Sequence, residues 1–373
     1  MSSDVAIVGG GLIGLSIAFE LATNGAAVRV YDTGDPGRAA SWAGAGMLAP
    51  LTESIDDPAM GDLCRHSLAM YPTFIQGVRS AGGVDPHLRL EGILSVAYDD
   101  PSYDELARHH ARLRGEHHDL ALLDRSQTLA LEPALSGTVV GSLFSRSEGQ
   151  VDNRRLGRAL LAACESAGVF VHSNLEFVRV ECNERRVLGI VTEHGFTAAG
   201  NVVNAAGAWS AQIAGVPANC VPPVFPVKGQ MLTIDVPCGF MKRVTWAHGI
   251  YLVPRSDGRL LVGATVEKEG FDTRVTSGGI QELLAAALRA APSLGRFALT
   301  ETWAGLRPGS PDGKPFIGAT PLQNYFLATG HDRNGILLAP ASASLIADAV
   351  SGRSNAFLDA FTPVRALTEG ATA

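Results

Sequence analysis

Three glycines and one aspartate near the N-terminus carry the clearest chemistry in this chain. Gly9, Gly11 and Gly14 follow the apolar run Val5-Ala6-Ile7-Val8 in the spacing G-x-G-x-x-G. Glycine at these points permits a tight turn and lets the backbone approach a pyrophosphate. Amide N–H groups and the positive end of the following helix would hold that group. Asp32 ends a second run, Val28-Arg29-Val30-Tyr31, where a carboxylate accepts hydrogen bonds from an adenosine ribose. Dinucleotide binding is the chemistry that needs all four. Other reactive side chains form weaker patterns. His109, His110, His117 and His118 recur at near-helical spacing among Arg108, Arg112, Arg114 and Glu116, which reads as a solvated helical face, so no metal is expected. Cys64, Cys164, Cys182, Cys220 and Cys238 are odd in number and contain no C-x-x-C pair. Neither a disulfide framework nor a zinc site is indicated, and a reducing cytoplasm is the expected location.

The elements that must position these residues form an alternating pattern. A helix is predicted over residues 15–23 and stopped by Gly25, completing a strand–helix–strand unit. Helical spacing over 153–167 (Leu156, Leu160, Leu161, Cys164) leads into a strand at 169–172. Residues 177–180 and 187–191 read as a hairpin, and 201–207 as a strand entering a small-residue turn that lets backbone approach a cofactor. Pro222, Pro223 and Pro226 mark a crossing into different material. Short strands are predicted at 231–236, 250–254 and 260–265, the last two joined at Ser256-Asp257-Gly258. An Ala/Leu-rich helix follows over 279–291. Residues 325–330 read as a strand, 331–335 as a turn, and 336–350 as a helix interrupted near its start by Pro340. The last ten residues read as loose.

The predicted fold class is therefore α/β. A discontinuous Rossmann-like dinucleotide domain (1–85, 138–218 and 306–373) carries an inserted antiparallel-sheet substrate domain (86–137 and 219–305). A chain of 373 residues with 46% apolar content is long enough for both. A net charge of -7 without a basic cluster argues against nucleic acid and anionic membranes as partners. A core strand beginning at Val5 leaves no room for a signal peptide, and no apolar run approaches the roughly 20 residues that span a bilayer.

Four further motifs narrow the reading. They are Ser41-Trp42-Ala43-Gly44-Ala45-Gly46-Met47-Leu48, Trp303-Ala304-Gly305-Leu306-Arg307-Pro308-Gly309, Asp312-Gly313-Lys314-Pro315-Phe316-Ile317-Gly318 and Gly330-His331-Asp332-Arg333-Asn334-Gly335-Ile336. In this order, and essentially end to end, the chain resembles the FAD-dependent glycine oxidases of the D-amino-acid oxidase family. The resemblance implies a D-amino-acid oxidase-like fold and oxidative deamination of glycine and other small amino acids or amines to the imine. Oxygen would be reduced to hydrogen peroxide, and the glycine imine would serve thiamine thiazole synthesis. A homo-oligomer is expected. The rival within the family is a D-amino-acid or sarcosine dehydrogenase that passes electrons to an acceptor other than oxygen. The rival outside it is a flavin-binding scaffold without turnover.

By motif match, Leu12 and Ile13 would lie against the pyrophosphate and Asp32 and Thr33 would hold the ribose. Ala40, Ser41, Ala45, Gly46 and Met47 would line the flavin. His331, Asp332, Arg333, Asn334, Gly335, Ile336 and Leu337 would contact its ring end, and a backbone contact to adenine is expected near Phe177. The positive end of the 336–350 helix would favour negative charge on a reduced ring. Arg307, Arg333 and Tyr251 match positions that grip the substrate carboxylate, with Met47 beside them. A guanidinium suits that task because it is always charged and binds a carboxylate through two parallel hydrogen bonds. Arg307 is placed in a Leu-Arg-Pro-Gly bend after a strand. No histidine or glutamate is evident as an acid or base, and hydride transfer from a neutral amine needs none. No cysteine lies in 305–318, so FAD should be held non-covalently. Leu261 aligns with an oxygen-activating lysine of sarcosine oxidases, and Val266 stands where some glycine oxidases have methionine. Lys228 reads equally as a flavin contact or a structural residue at the domain crossing.

Overall fold

The computed structural model describes residues 3–53, 55, 57–113, 115 and 119–367. Its first strand, Ser3–Val8, sits inside a sheet ordered Phe316–Ala319, Tyr325–Thr329, Gly195–Asn204, Ser3–Val8, Val28–Tyr31, Phe170–His172. The last five of these pair in parallel, and Phe316–Ala319 closes one edge antiparallel. Val187–Thr192 and Arg179–Cys182 extend from Gly195–Asn204 as an antiparallel pair of strands. A parallel sheet is covered on both faces, so successive residues of one strand enter different cores. Val5 and Ile7 pack under the helices Leu12–Thr23, Pro58–Gly82, Asn153–Ser166 and Ala339–Val350. Ala6 and Val8 face the opposite layer, with Val180, Ile190 and Leu327.

The first helix starts three residues earlier than expected, at Leu12. Gly14 explains this, because a Cβ there would drive into the Gly9 carbonyl oxygen and only hydrogen lets the helix lie so close to the turn. The C-terminal helix starts three residues later than expected. Asp332–Asn334 forms a 3-10 turn, and Pro340 falls in the first turn of Ala339–Val350, where a missing N–H costs nothing. Of the tail expected to be loose, Val364–Leu367 is helical and residues 368–373 lie outside the described residues, as do His117 and His118.

The second sheet is ordered Leu299–Gly309, Phe225–Asp235, Arg259–Gly263, Ile250–Pro254, Val244–Ala247, Ile93–Ala97, Gly141–Ser145, Leu120–Asp124. Its pairs are antiparallel except that joining Val244–Ala247 to Ile93–Ala97. Two expected divisions shift here. Gly141–Ser145, placed with the dinucleotide domain, pairs with Ile93–Ala97 and Leu120–Asp124 instead. The edge strand Leu299–Gly309 continues past 306. Arg307 therefore lies within a strand opposite Val227, not in a bend. The local Pro-Gly signal misleads because Pro308 faces Pro226 at a sheet edge, where neither needs to donate. Among the described residues, no helix is long and apolar enough to cross a membrane, and no three His, Cys, Asp or Glu side chains converge as metal ligands.

Candidate active site

A cavity of about 610 Å³ runs from the turn after the first strand to the inner face of the second sheet. Gly9, Gly11, Leu12 and Ile13 line its first end, with Asp32 and Thr33 beside them. Gly11 caps the helix without a side-chain acceptor, leaving the helix's N-terminal amides to the cavity and to Ser41, whose Oγ accepts from Leu12 N at 2.9 Å. Asp32 accepts from Gly10 N at 2.6 Å and Gly34 N at 2.7 Å. Burial raises its carboxyl above the usual range, and these two bonds oppose that rise. A carboxylate has about four acceptor positions, so capacity remains for a ribose. The Tyr31 hydroxyl at this end is buried without a partner among the described residues.

The middle wall is the segment holding Ala40, Ser41, Gly44, Ala45, Gly46 and Met47. Its carbonyls are held from three sides. Asn153 Nδ2 donates to Ser41 O at 2.7 Å and Trp42 O at 3.0 Å. Trp303 Nε1 donates to Ala43 O at 2.9 Å. Arg255 Nη2 donates to Ala45 O at 2.9 Å and Asn153 Oδ1 at 2.8 Å, while its Nη1 donates to Val151 O at 3.1 Å. Burial lowers the Arg255 guanidinium to about 10, and Asp152 nearby opposes the fall, so it stays charged at neutral pH. Gly46 has φ of +71°, and a Cβ there would strike the Val151 carbonyl oxygen. The opposite wall is the small-residue turn Ala205, Ala206, Gly207 and Ala208, as the sequence suggests, followed by Trp209 and Gln212.

The far end brings together Tyr251, Arg307, His331, Asp332, Arg333 and Glu53. Arg307 donates from Nη1 and Nη2 to Thr265 O at 3.3 Å, and from Nη1 to Lys228 O at 3.4 Å. Gly229 on the neighbouring strand makes room, since a Cβ there would lie 2.5 Å from Nη2. Among the described residues no carboxylate pairs with Arg307, whereas Arg333 Nη2 lies 3.4 Å from Glu53 Oε1. Burial raises the Glu53 carboxyl, opposed by Arg333, and raises Asp332 likewise, opposed by Arg307 and Arg333. Tyr251 is 8% exposed, edge-on to Trp246, and burial raises its phenol. His331 is fully enclosed, its Nε2 2.9 Å from Ser342 Oγ, and burial lowers it to about 3, so the ring is neutral.

Thus most residues expected at the site meet at one cavity. Gly14 sits behind it as a packing residue, Leu337 is buried next to the wall formed by Ile336, and Phe177 is exposed while its neighbour Val178 lines the cavity. Leu261 is buried in the apolar cluster with Tyr251 and Trp303 and does not line the cavity, and Val266 is 68% exposed. Lys228 is buried 3.3 Å from Glu267, away from the lining, which fits the structural reading. The sequence reading misses one glutamate that lines this end, Glu53. Its segment has no periodic pattern, and it is held by Glu148, which accepts from Leu51 N, Thr52 N (3.1 Å) and Thr52 Oγ1 (2.8 Å).

Glu148 is fully buried, and burial raises it to about 7 despite those bonds. Its folded value lies above its unfolded one. Stability therefore falls as pH rises from about 4.5 to about 7, then levels off. Glu148→Gln should raise the melting temperature at pH 8 and change it least near pH 5. A difference independent of pH would show that Glu148 does not titrate in this range.

A family model described as FAD dependent oxidoreductase matches residues 4–349. The chain belongs to the FAD-dependent oxidoreductase family. It is 38% identical to the bifunctional protein ThiO/ThiG of a Synechocystis species, covering 98% of this chain and 54% of that protein, so it spans about half of that relative's length. It is 37% identical to the glycine oxidase of Pseudomonas aeruginosa, covering 95% of this chain and 96% of that one. The crystal structure of glycine oxidase from Geobacillus kaustophilus matches with a TM-score of 0.93 at 35% identity, covering 98% of this chain and 99% of that one. The protein is an FAD-dependent oxidoreductase, and its cavity fits FAD. The first helix turns its N-terminal end to the cavity with no side chain at its N-cap, glycines give backbone access, and a polar ligand would complete the orphaned Tyr31 hydroxyl. None of the five cysteines lines the cavity.

Proposed function

We propose that this protein oxidises glycine and other small amino acids or amines. Glycine and oxygen become the imine and hydrogen peroxide, and water then splits the imine into glyoxylate and ammonia. The observation that carries this reading is Arg307. Its guanidinium lines the cavity, held by the Thr265 and Lys228 carbonyls beside the Tyr251 phenol, with no carboxylate in ion-pair contact among the described residues. A partly buried cation with no carboxylate in direct contact is a ready receptor for one.

Bound FAD supplies the two-electron acceptor, and the chain supplies position. Arg307 fixes the carboxylate. Tyr251 closes the floor beside it. The glycine-rich wall around Gly44 to Met47 keeps side chains out of the cofactor's path, and Arg255 with Asn153 and Trp303 keeps that wall rigid. Neutral His331 adds no charge beside the ring site. FAD is held without a covalent bond, residues of the first sheet hold the cofactor, and the second sheet forms the substrate wall. The ThiO/ThiG name of the Synechocystis relative supports thiamine thiazole synthesis as the destination of the imine. Five free thiols support a reducing cytoplasm. The oligomeric state is proposed to be a homo-oligomer.

The test is a panel of glycine, sarcosine, D-alanine and a simple alkylamine, read by peroxide release in air. Glycine should release one peroxide per oxygen consumed, and acid should free intact FAD from the chain. Oxygen uptake absent while an artificial acceptor supports turnover would replace the oxidase reading with the dehydrogenase one. Flavin that stays with the denatured chain would overturn non-covalent attachment.

A further inference from the structure

The two guanidiniums of the cavity are not equivalent. Among the described residues Arg307 has no carboxylate in ion-pair contact and meets carbonyl oxygens and the Tyr251 phenol, whereas Arg333 meets the carboxylate of Glu53 at 3.4 Å. Glu53 is 15% exposed and Arg333 45%, so the pair sits at the outer side of the cavity, with the Arg333 guanidinium 5.5 Å from the Trp246 ring centroid. Asp332 lines the same end and adds a second negative group. Without Glu53, two cations would face one small space, and a ligand with two acidic groups would satisfy both. With Glu53, one cation is already answered.

Resting on the amine oxidase reading above, we propose that Glu53 is a specificity-determining residue. By occupying Arg333 it leaves Arg307 as the single anion receptor and restricts the cavity to substrates with one carboxylate. This is selection by a built-in competitor: a second carboxylate on a substrate must displace Glu53 or meet its repulsion. Glu53 acts on the substrate through Arg333 and takes no part in the chemical step.

The experiment measures binding, so it does not depend on turnover. Holoprotein is titrated with acetate, malonate and succinate, read by intrinsic tryptophan fluorescence and by perturbation of the flavin spectrum. Glu53→Gln and Glu53→Ala should raise affinity for malonate or succinate relative to acetate by about tenfold or more, the scale of one close charge pair. Glu53→Gln combined with Arg333→Met should return the ratio to the wild-type value. In turnover, the same variants should raise kcat/KM for iminodiacetate relative to glycine. An unchanged ratio, an equal change for all three acids, or a ratio that persists in the double variant would overturn the proposal. If glycine is not oxidised at all but the binding ratios move as stated, the function reading fails and the role of Glu53 stands. If glycine is oxidised and the ratios do not move, only the role of Glu53 fails.

Discussion

Replacing Arg307 by alanine should collapse turnover of glycine while FAD stays bound. Truncating one member of a desolvated charge pair costs about 2–5 kcal/mol, or roughly 30-fold to several thousand-fold in kcat/KM. The loss should be far smaller for an alkylamine, which has no carboxylate to present. Arg307→Lys should recover part of the activity, since an ammonium gives a charge without the two-pronged geometry. Arg307 also holds Thr265 O and Lys228 O, so a small drop in melting temperature is expected. Melting temperature alone does not separate the two roles. The ratio of kcat/KM for glycine to that for the alkylamine does. Equal losses for both substrates would make Arg307 a structural residue of the strand pair.

The second large effect is expected at Gly46. Its φ of +71° disfavours any other residue, and a Cβ would meet the Val151 carbonyl oxygen, part of the backbone and unable to swing away. Backbone strain and overpacking each cost about 1–3 kcal/mol, so Gly46→Ala should lose about 2–6 kcal/mol at the cofactor wall. The purified variant should hold little FAD. Gly313→Ala is the control, with φ of +70° but nothing within 4 Å of its Cβ position. It carries strain alone and lies outside the cavity lining, so it should keep its FAD. Equal FAD content in the two variants would mean that the Gly46 wall does not shape the cofactor site.

These residues differ in how far the sequence discloses them. The glycine turn, the first helix and Asp32 are legible because their constraints are local. A tight turn needs glycine, and the acid follows within one strand–helix–strand unit. Arg307 and Tyr251 are legible through motif resemblance, although their approach depends on strand pairing across the second sheet. Membership of Gly141–Ser145 in that sheet is not legible, because its partners Ile93–Ala97 and Leu120–Asp124 are fixed by packing and no local signal marks them. The bend expected at Pro308 fails for the same reason: an edge position removes the penalty that proline carries elsewhere. Glu53 escapes notice because its partner Arg333 is 280 residues away in sequence. Arg255 reads as an ordinary turn residue until its four hydrogen-bonded partners are seen to converge from Ala45, Gln150, Val151 and Asn153.

The central claim is that this cavity binds glycine by its carboxylate and lets bound FAD accept its electrons. Mixing the purified protein with glycine in the absence of oxygen tests it most directly. The yellow flavin absorbance should bleach in a single turnover, return on admission of air, and fail to bleach at the same glycine concentration in Arg307→Ala. A wild-type flavin that stays oxidised with saturating glycine and with the other small amino acids, in protein shown to be folded and loaded with FAD, would contradict it.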